Sequence, residues 1–296
     1  MKKIIIMPNL SRDKDGKGTE KVINCLKQHG IEALIDNSLK EYGFDCKYVD
    51  IKNEKDADMA IIIGGDGTIL TNSHLFVNTT IPVLGINHGN VGFLTELEKD
   101  DIDGLNKILD GNFIIERRQI IKVEYCGKTC YSINEAAIHR GNSPKILNME
   151  IIINGVSMNK YRADGLIVAT SSGSTAYSLS AGGPIIHPLV DAFVITPVCA
   201  HNLYIRSMVI PTNETICIKL NSPDLCAFSV DGNLIAQMDG NQEIKLTMGG
   251  YLNTVICNEN SFYNKIKTKI FEKEIYPSSL RTVSISAPVS SFKENE

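Results

Sequence analysis

One carboxylate, Asp66, stands among three glycines in Gly64-Gly65-Asp66-Gly67-Thr68. Glycine lets the backbone turn sharply and lets a phosphate come close to main-chain N–H groups. In a loop that otherwise offers only N–H groups, one carboxylate suits a metal contact or a proton acceptor. The bland alternative is a tight strand-to-helix turn with a solvated aspartate, and a single short glycine motif does not separate the two. Two clusters downstream favour chemistry. Asp164-Gly165 leads through an apolar run into Ser172-Gly173-Ser174-Thr175-Ala176-Tyr177, then Ser180 and Gly182-Gly183-Pro184. Thr175-Ala176-Tyr177 are expected to begin a short helix that Gly182-Gly183-Pro184 must end, and hydroxyls and free N–H groups at its start suit phosphate, ribose or an adenine edge. Asn134-Glu135, at the end of a strand expected over 129–133, sets an amide beside a carboxylate. That pair can grip ribose hydroxyls or an adenine amino group, although alone it reads as a turn or cap.

The elements that must carry these residues follow from periodicity. Residues 59–63 are an uninterrupted apolar run, which suits a strand buried on both faces, and 68–77 can run on as a helix whose N-terminus favours an anion. Residues 4–7, 31–35, 46–49 and 82–86 are further short strands. A helix is expected over 16–30, with Val22, Ile23, Leu26 and His29 near one face and Gly30 just past its end. A helical turn is expected over 39–42 and a helix over 100–109. Alternating strands and helices argue for an open α/β sheet of parallel type, whose ligands bind at the carboxyl ends of the strands. Residues 85–94 repeat the strand and glycine-loop pattern. There His88 is either a general base or a turn histidine, and Phe93 either stacks on a base or plugs a core.

The texture changes near Glu116. Alternating segments at 121–125, 149–153, 216–220, 227–230 and 243–248 are separated by turn signals, among them Cys126-Gly127-Lys128 and Asn154-Gly155. The expected fold is an α/β N-terminal domain with a parallel-type sheet, residues 1–115, and a C-terminal β-rich, β-sandwich-like domain, residues 116–257. Residues 258–277 carry a basic amphipathic helix over 261–273, with Phe262, Ile266, Ile270 and Phe271 on one side, suited to docking on the first domain. Residues 278–296 are polar and Ser-rich, in character a mobile tail.

With 43% apolar and 22% charged residues, the 296-residue chain can build proper cores. A net charge of −4 argues against a nucleic-acid partner. No apolar run reaches the length of a membrane span. The eight cysteines are scattered, with no Cys-x-x-Cys pair, as expected of reduced thiols in the cytoplasm. Cys126 and Cys130 would make a zinc half-site, but no second pair completes it, and no resident metal site is expected.

Gly64-Gly65-Asp66-Gly67-Thr68, Asn134-Glu135, and Asp164-Gly165 followed by Gly173-Ser174-Thr175-Ala176-Tyr177-Ser178 resemble the NAD kinases in order and spacing. So do residues 89–95, 197–201 and Ser229-Val230-Asp231-Gly232, with Val91 standing where the family more often has leucine. The resemblance runs from about residue 4 to 271. It implies transfer of a phosphoryl group from ATP or polyphosphate to the 2′-hydroxyl of the adenosine ribose of NAD, giving NADP. It implies Mg²⁺ carried with the donor, and a homotetramer or homodimer whose NAD site takes in residues of a neighbouring chain. Asp66 would be the catalytic base, with Gly64, Gly65, Gly67 and Thr68 as the donor phosphate loop. Asp66, Gly67, Phe93, Leu94, Asn134, Glu135, Asp164, Ser172, Thr175, Ala176, Tyr177 and Ser180 would hold NAD. His201 and Asp231 match motif positions without an assigned chemistry. Arg140 and Arg206 would meet either phosphate or carboxylates. The glycine loop is shared with lipid kinases of the diacylglycerol and sphingosine type, which makes such a kinase one alternative. A non-catalytic NAD-binding sensor is the other.

Overall fold

A computed structural model of the chain describes residues 1–89, 92–141, 143, 145–202, 204–221, 225–240 and 242–272. Val91, Lys273 and the expected tail over 278–296 lie outside the described residues.

The N-terminal region alternates as its periodicity predicts. In order it holds β1 (Lys3–Pro8), α1 (Lys17–Gln28), β2 (Glu32–Asp36), a 3₁₀ turn (Asn37–Tyr42), β3 (Lys47–Val49), a 3₁₀ turn (Ile51–Asn53), β4 (Met59–Gly64), α2 (Asp66–Asn72), β5 (Val83–Asn87), β6 (Leu97–Glu98) and α3 (Ile102–Leu109). β5, β4, β1, β2 and β3 lie side by side in parallel. Both faces are covered, which explains the unbroken isoleucine runs. Ile4, Ile6, Ile61 and Ile63 pack with Val22 and Leu26 of α1 and Leu105 and Ile108 of α3. Ile5, Ala60 and Ile62 pack on the opposite side with Ile69 of α2 and Phe76.

Three local details differ from expectation. His29 leaves the apolar face of α1: it is the C-cap, with Nδ1 2.9 Å from the Cys25 carbonyl, and Cys25 takes the buried place. The helix expected over 68–77 starts at Asp66 and ends at Asn72, and a 3₁₀ turn (Ser73–Phe76) follows. Strand β7 (Ile114–Tyr125) begins before the change of texture, so position 115/116 falls inside it.

The remaining strands are β8 (Lys128–Ser132), β9 (Glu135–His139), β10 (Leu147–Ile153), β11 (Val156–Ala163), β12 (Gly165–Thr170), β13 (Ala192–Val198), β14 (Met208–Pro211), β15 (Ile216–Leu220), β16 (Cys226–Val230), β17 (Asn233–Met238) and β18 (Glu243–Ile256). α4 (Tyr177–Ser180) lies between β12 and β13. An antiparallel sheet of order β14-β13-β12-β9-β16-β17 faces the antiparallel part of a second sheet. Between them Ile121, Met149, Ile151 and Leu246 meet Ile138, Val168, Phe193 and Phe228 in one core, a sandwich. Asn154 and Gly155 both have positive φ, 48° and 81°, as the tight β10–β11 hairpin requires.

β18 joins the two halves. It pairs with β7 over nearly its whole length, with β15 through its first part, and sets Thr254 beside Val83 of β5. The ladder is therefore continuous from the parallel strands into the sandwich. It bends at a bulge between Met248 and Gly250, where Gly250 has φ 110°. Asn78 locks that bend. Its Nδ2 donates to the Gly249 carbonyl (2.9 Å), and its Oδ1 accepts from the Tyr251 N–H (3.0 Å).

Residues 260–272 form a separate compact unit. Here α5 (Ser261–Ile266) widens into a π-helical turn (Lys267–Phe271). Ile266 is buried, whereas Phe271 is 59% exposed and does not share its buried side. Among the described residues no helix is long and apolar enough to cross a membrane.

Candidate active site

Asp66 is the first residue of α2, at the carboxyl end of β4. Its Oδ2 accepts from the Phe93 N–H (2.7 Å) and its Oδ1 from the Leu94 N–H (3.0 Å). Gly92 is what lets that segment approach: a Cβ there would stand 1.7 Å from Oδ1. The loop is tied on both flanks. His88 donates its N–H to the Gly64 carbonyl (3.1 Å), and Asn9 donates its N–H to the Ile63 carbonyl (2.8 Å). The Asn9 Nδ2 also donates to Thr68 Oγ1 (2.8 Å). A Cβ on Gly64 would strike the Thr68 side chain at 2.4 Å, so that glycine serves packing. Gly65 and Gly67 are different: a Cβ on either would meet nothing within 4 Å, and neither has a positive φ. The space they leave opens on a cleft of about 230 Å³ lined by Asn9, Arg12, Asp66 and Thr68. No packing demand of the protein explains these two glycines, and room for a ligand does.

The second cluster is organised by Asp231. Its Oδ1 accepts from Ser132 Oγ (2.7 Å) and from the N–H groups of Asn134 (2.8 Å) and Glu135 (3.2 Å). Its Oδ2 accepts from the Ile133 N–H (2.9 Å). One carboxylate thus shapes the whole turn between β8 and β9. Glu135 is 6% exposed, and its Oε2 has no hydrogen-bond partner. Burial, and then the nearby Asp231 charge, raise its pKa to about 7, while the Tyr177 N–H bonds to the carboxyl and pulls the other way.

That bond corrects the picture of free N–H groups at a helix start. The helix expected at Thr175 is a 3₁₀ turn (Ser172–Thr175) broken at Ala176 from the four-residue α4. The segment packs tightly on its neighbour: a Cβ on Gly173 would lie 2.0 Å from the Asn134 carbonyl oxygen. Its hydroxyls divide their work. Ser174 Oγ donates to the Ser171 carbonyl (2.7 Å), and Ser178 Oγ pairs with Thr196 Oγ1 (2.8 Å), both buried. Thr175 and Ala176 are half-buried, while Tyr177 and Ser180 are exposed and available to a ligand. The two clusters share one apolar body, in which Ile69 of α2 and Ile133, next to Asn134, lie together with Leu94 against them.

Comparison with known proteins bears on this constellation directly. Residues 5–113 match the ATP-NAD kinase N-terminal domain and residues 133–258 the ATP-NAD kinase C-terminal domain. The chain is 33% identical over 285 residues to the NAD kinase of Caldanaerobacter subterraneus subsp. tengcongensis, covering 92% of this chain and all of that one. The NAD kinase of Methanothermobacter thermautotrophicus is 36% identical, covering 86% of this chain and 90% of that one. The chain belongs to the NAD kinase family. Its fold is that of the yeast NADH kinase in a crystal structure with NADH, with a TM-score of 0.81 at 25% identity, covering all of this chain and 90% of that one. The lipid-kinase and sensor alternatives are not favoured.

As an NAD kinase the chain gathers Asp66, Phe93 and Leu94 at one loop, and Asn134, Glu135, Ser172, Thr175, Ala176 and Tyr177 at another. Asp164 stands apart. In the β9–β12 ladder Glu135 lies opposite Ala169, so Asp164 is five residues down the strand, about 16 Å away. There it pairs with Arg140, at 3.4 Å. Arg206 bonds the neighbouring Ile205 carbonyl (2.9 Å), and the His201 N–H bonds the Arg162 carbonyl (2.8 Å). The His88 ring packs over Gly18 of α1.

Sequence reasoning missed three residues. Asn9 and Arg12 follow β1 and line the cleft at Asp66. Their signal was position: they stand at the carboxyl end of a parallel strand, where ligands bind. Arg118 gave no such signal. It is buried, ion-paired with Glu116 (2.7 Å), and donates to Ser172 Oγ (3.2 Å) and Thr254 Oγ1 (3.2 Å). It thereby anchors the 172–175 turn to the long sheet.

Proposed function

We infer that this NAD kinase uses Asp66 to receive the proton of the adenosine ribose 2′-hydroxyl of NAD while the terminal phosphoryl group of ATP is transferred to that oxygen. The observation that carries this reading is the lone carboxylate beside an open glycine cradle, bonded to the N–H of Leu94, which packs in one apolar body with Ile133 of the Asn134–Glu135 turn. Each Asp66 oxygen accepts one backbone N–H and keeps a further lone pair, so the carboxylate is aimed without being used up. A sugar hydroxyl is a poor nucleophile, and a positioned base contributes roughly 10²–10⁴-fold. Gly65 and Gly67 admit the donor phosphates, with the Arg12 cation in the same cleft. Mg²⁺ would arrive with the donor as part of the substrate and would offset the charge of its phosphates. Tyr177, Thr175, Ala176, Ser172 and Ser180 hold the adenylate half of NAD. Asn134 and Glu135 hold ribose or nicotinamide-side groups.

In this reading residues 1–115 carry the donor loop and add Phe93 and Leu94 to the NAD site, whose remaining residues come from 116–257. A homo-oligomer, tetramer or dimer, is supported by exposed apolar side chains on two sheet edges: Val156 and Met158 on β11, and Leu234 on β17. Eight cysteines, none of them in a disulfide, support a reducing compartment, the cytoplasm.

The test is NADP formation from NAD with Mg²⁺ and either ATP or polyphosphate, for the wild type beside Asp66→Asn. The variant is expected to lose at least about 100-fold in kcat while NAD binding persists. Undiminished turnover would remove Asp66 from the chemistry. Absence of NADP with every donor would overturn the reading.

A further inference from the structure

The cleft at Asp66 is the near end of a longer trough that follows α2. From Asn9, Gly67 and Thr68 it continues, as a hollow of about 300 Å³, past Pro8 to Asn72 at the other end of the helix. From Pro8 and Asn72 it opens into a third hollow of about 360 Å³. Leu39, Ile51 and Leu75 give that hollow apolar walls, and Asp36 and Lys52 stand in its lining. Its volume falls within the range of about 300–1,000 Å³ usual for small-molecule sites. The ends of β1 and β2 form its back, where ligands of open α/β sheets bind.

We propose that this third hollow, walled by Leu39, Ile51 and Leu75, is the subsite for the nucleobase and ribose of a nucleoside triphosphate donor. The inference rests on the reading of the Asp66 cleft as the phosphoryl-transfer site. Two observations carry it further. The first is reach. α2 has seven residues and is about 10 Å long, so a triphosphate laid along it from the Gly65–Gly67 cradle delivers its nucleoside to Asn72 and Leu75. The second is the change in chemistry along the way. The near end offers Asn9, Arg12 and Thr68, suited to phosphate, and the far end offers aliphatic walls, suited to a flat base. Asp36 is held in place by the Ser38 N–H (3.0 Å) and the Ile51 N–H (3.4 Å), and its carboxylate can accept hydrogen bonds from ribose hydroxyls as well. Polyphosphate has no base or ribose to place here, so recognition by the apolar walls is what distinguishes the two donors.

Leu75 is 40% exposed, so a polar side chain is tolerated there by the fold. Leu75→Glu is expected to raise the KM for ATP at least about tenfold with kcat within about twofold, and to leave inhibition by inorganic tripolyphosphate unchanged. An unchanged KM for ATP would overturn the subsite. So would an equal loss for tripolyphosphate, which would place the effect on the phosphates. Calorimetric binding of ADP and of pyrophosphate gives a readout independent of turnover. The wild type should bind ADP at least about tenfold more tightly, and Leu75→Glu should erase the difference. Equal affinities in the wild type would sink the subsite and leave the kinase reading standing. A wild-type difference that Leu75→Glu erases, without any NADP formation, would sink the kinase reading and keep the subsite; a difference that the variant retains would overturn the subsite.

Discussion

Glu135 is a carboxyl group held where its charge is costly. Burial and the Asp231 charge raise its pKa from 4.5 to about 7. Between those values the folded chain binds more protons than the unfolded one, so its contribution turns unfavourable as pH rises through that window. Above it the penalty reaches at most about 3 kcal/mol. Glu135→Gln removes the titration. Thermal melts of the variant should therefore fall less between pH 5 and pH 8 than those of the wild type, and the variant should melt higher at pH 8. Parallel pH profiles would show that Glu135 does not titrate there. Asp231 is the opposite case, a carboxylate saturated by four donors from residues 132–135. Asp231→Ala leaves those donors unpaired and should cost about 2–4 kcal/mol in a urea melt, with a raised KM for NAD. A loss below about 0.5 kcal/mol would mean that water replaces the carboxylate.

The element proposed to carry the chemistry is the β4–α2 turn, where glycines at neighbouring positions do unlike jobs. Gly65 has an extended backbone, φ −95°, and open space at its Cβ position. Gly65→Ala should therefore keep its stability within about 1 kcal/mol while raising the KM for ATP. Gly92→Ala should lower kcat, because its Cβ would displace the carboxylate of Asp66. Steady-state kinetics beside chemical melts separates the two, and equal effects on stability would refute the distinction. Most elements were legible as periodicity: the isoleucine runs of β1 and β4, the apolar stripe of α1, the Asn154-Gly155 turn. Two long strands were only half legible, for physical reasons. Residues 116–119 of β7 are Glu-Arg-Arg-Gln, a polar run that reads as surface. In the fold Glu116 and Arg118 neutralise each other in the interior, and Arg117 lies over the Tyr251 ring at 3.9 Å. In β18 Gly249-Gly250 reads as a turn, whereas Asn78, some 170 residues earlier, makes it a bulge within one strand. The candidate site was legible where local motifs carry it, at Asp66, Asn134 and Glu135. Asp231 and Arg118 act across about a hundred residues or between sheets, and no local pattern announces that.

At the scale of the whole molecule, the distance between Asp164 and Glu135 sets a condition on assembly. If the NAD site takes in residues of a neighbouring chain, Asp164→Ala and Glu135→Ala should each be inactive alone. Mixed and reassociated, the two variants should recover activity that neither shows, because some sites then receive both intact side chains. Failure to recover, in oligomers shown to exchange subunits, would place both residues in one chain's site. The continuity of the long sheet through β18 has a consequence for how the chain is made. The open flank of β5 receives β6 at Ile86 and Asn87, but Val83 waits for Thr254. Those partners are separated by most of the polypeptide, a contact of high order. At about 5–20 residues per second, the parallel strands leave the ribosome on the order of ten seconds before the strand that completes them. During translation the nascent chain therefore displays an unfinished β edge. It is this interval, rather than the finished fold, in which the chain is open to mispairing with other nascent chains.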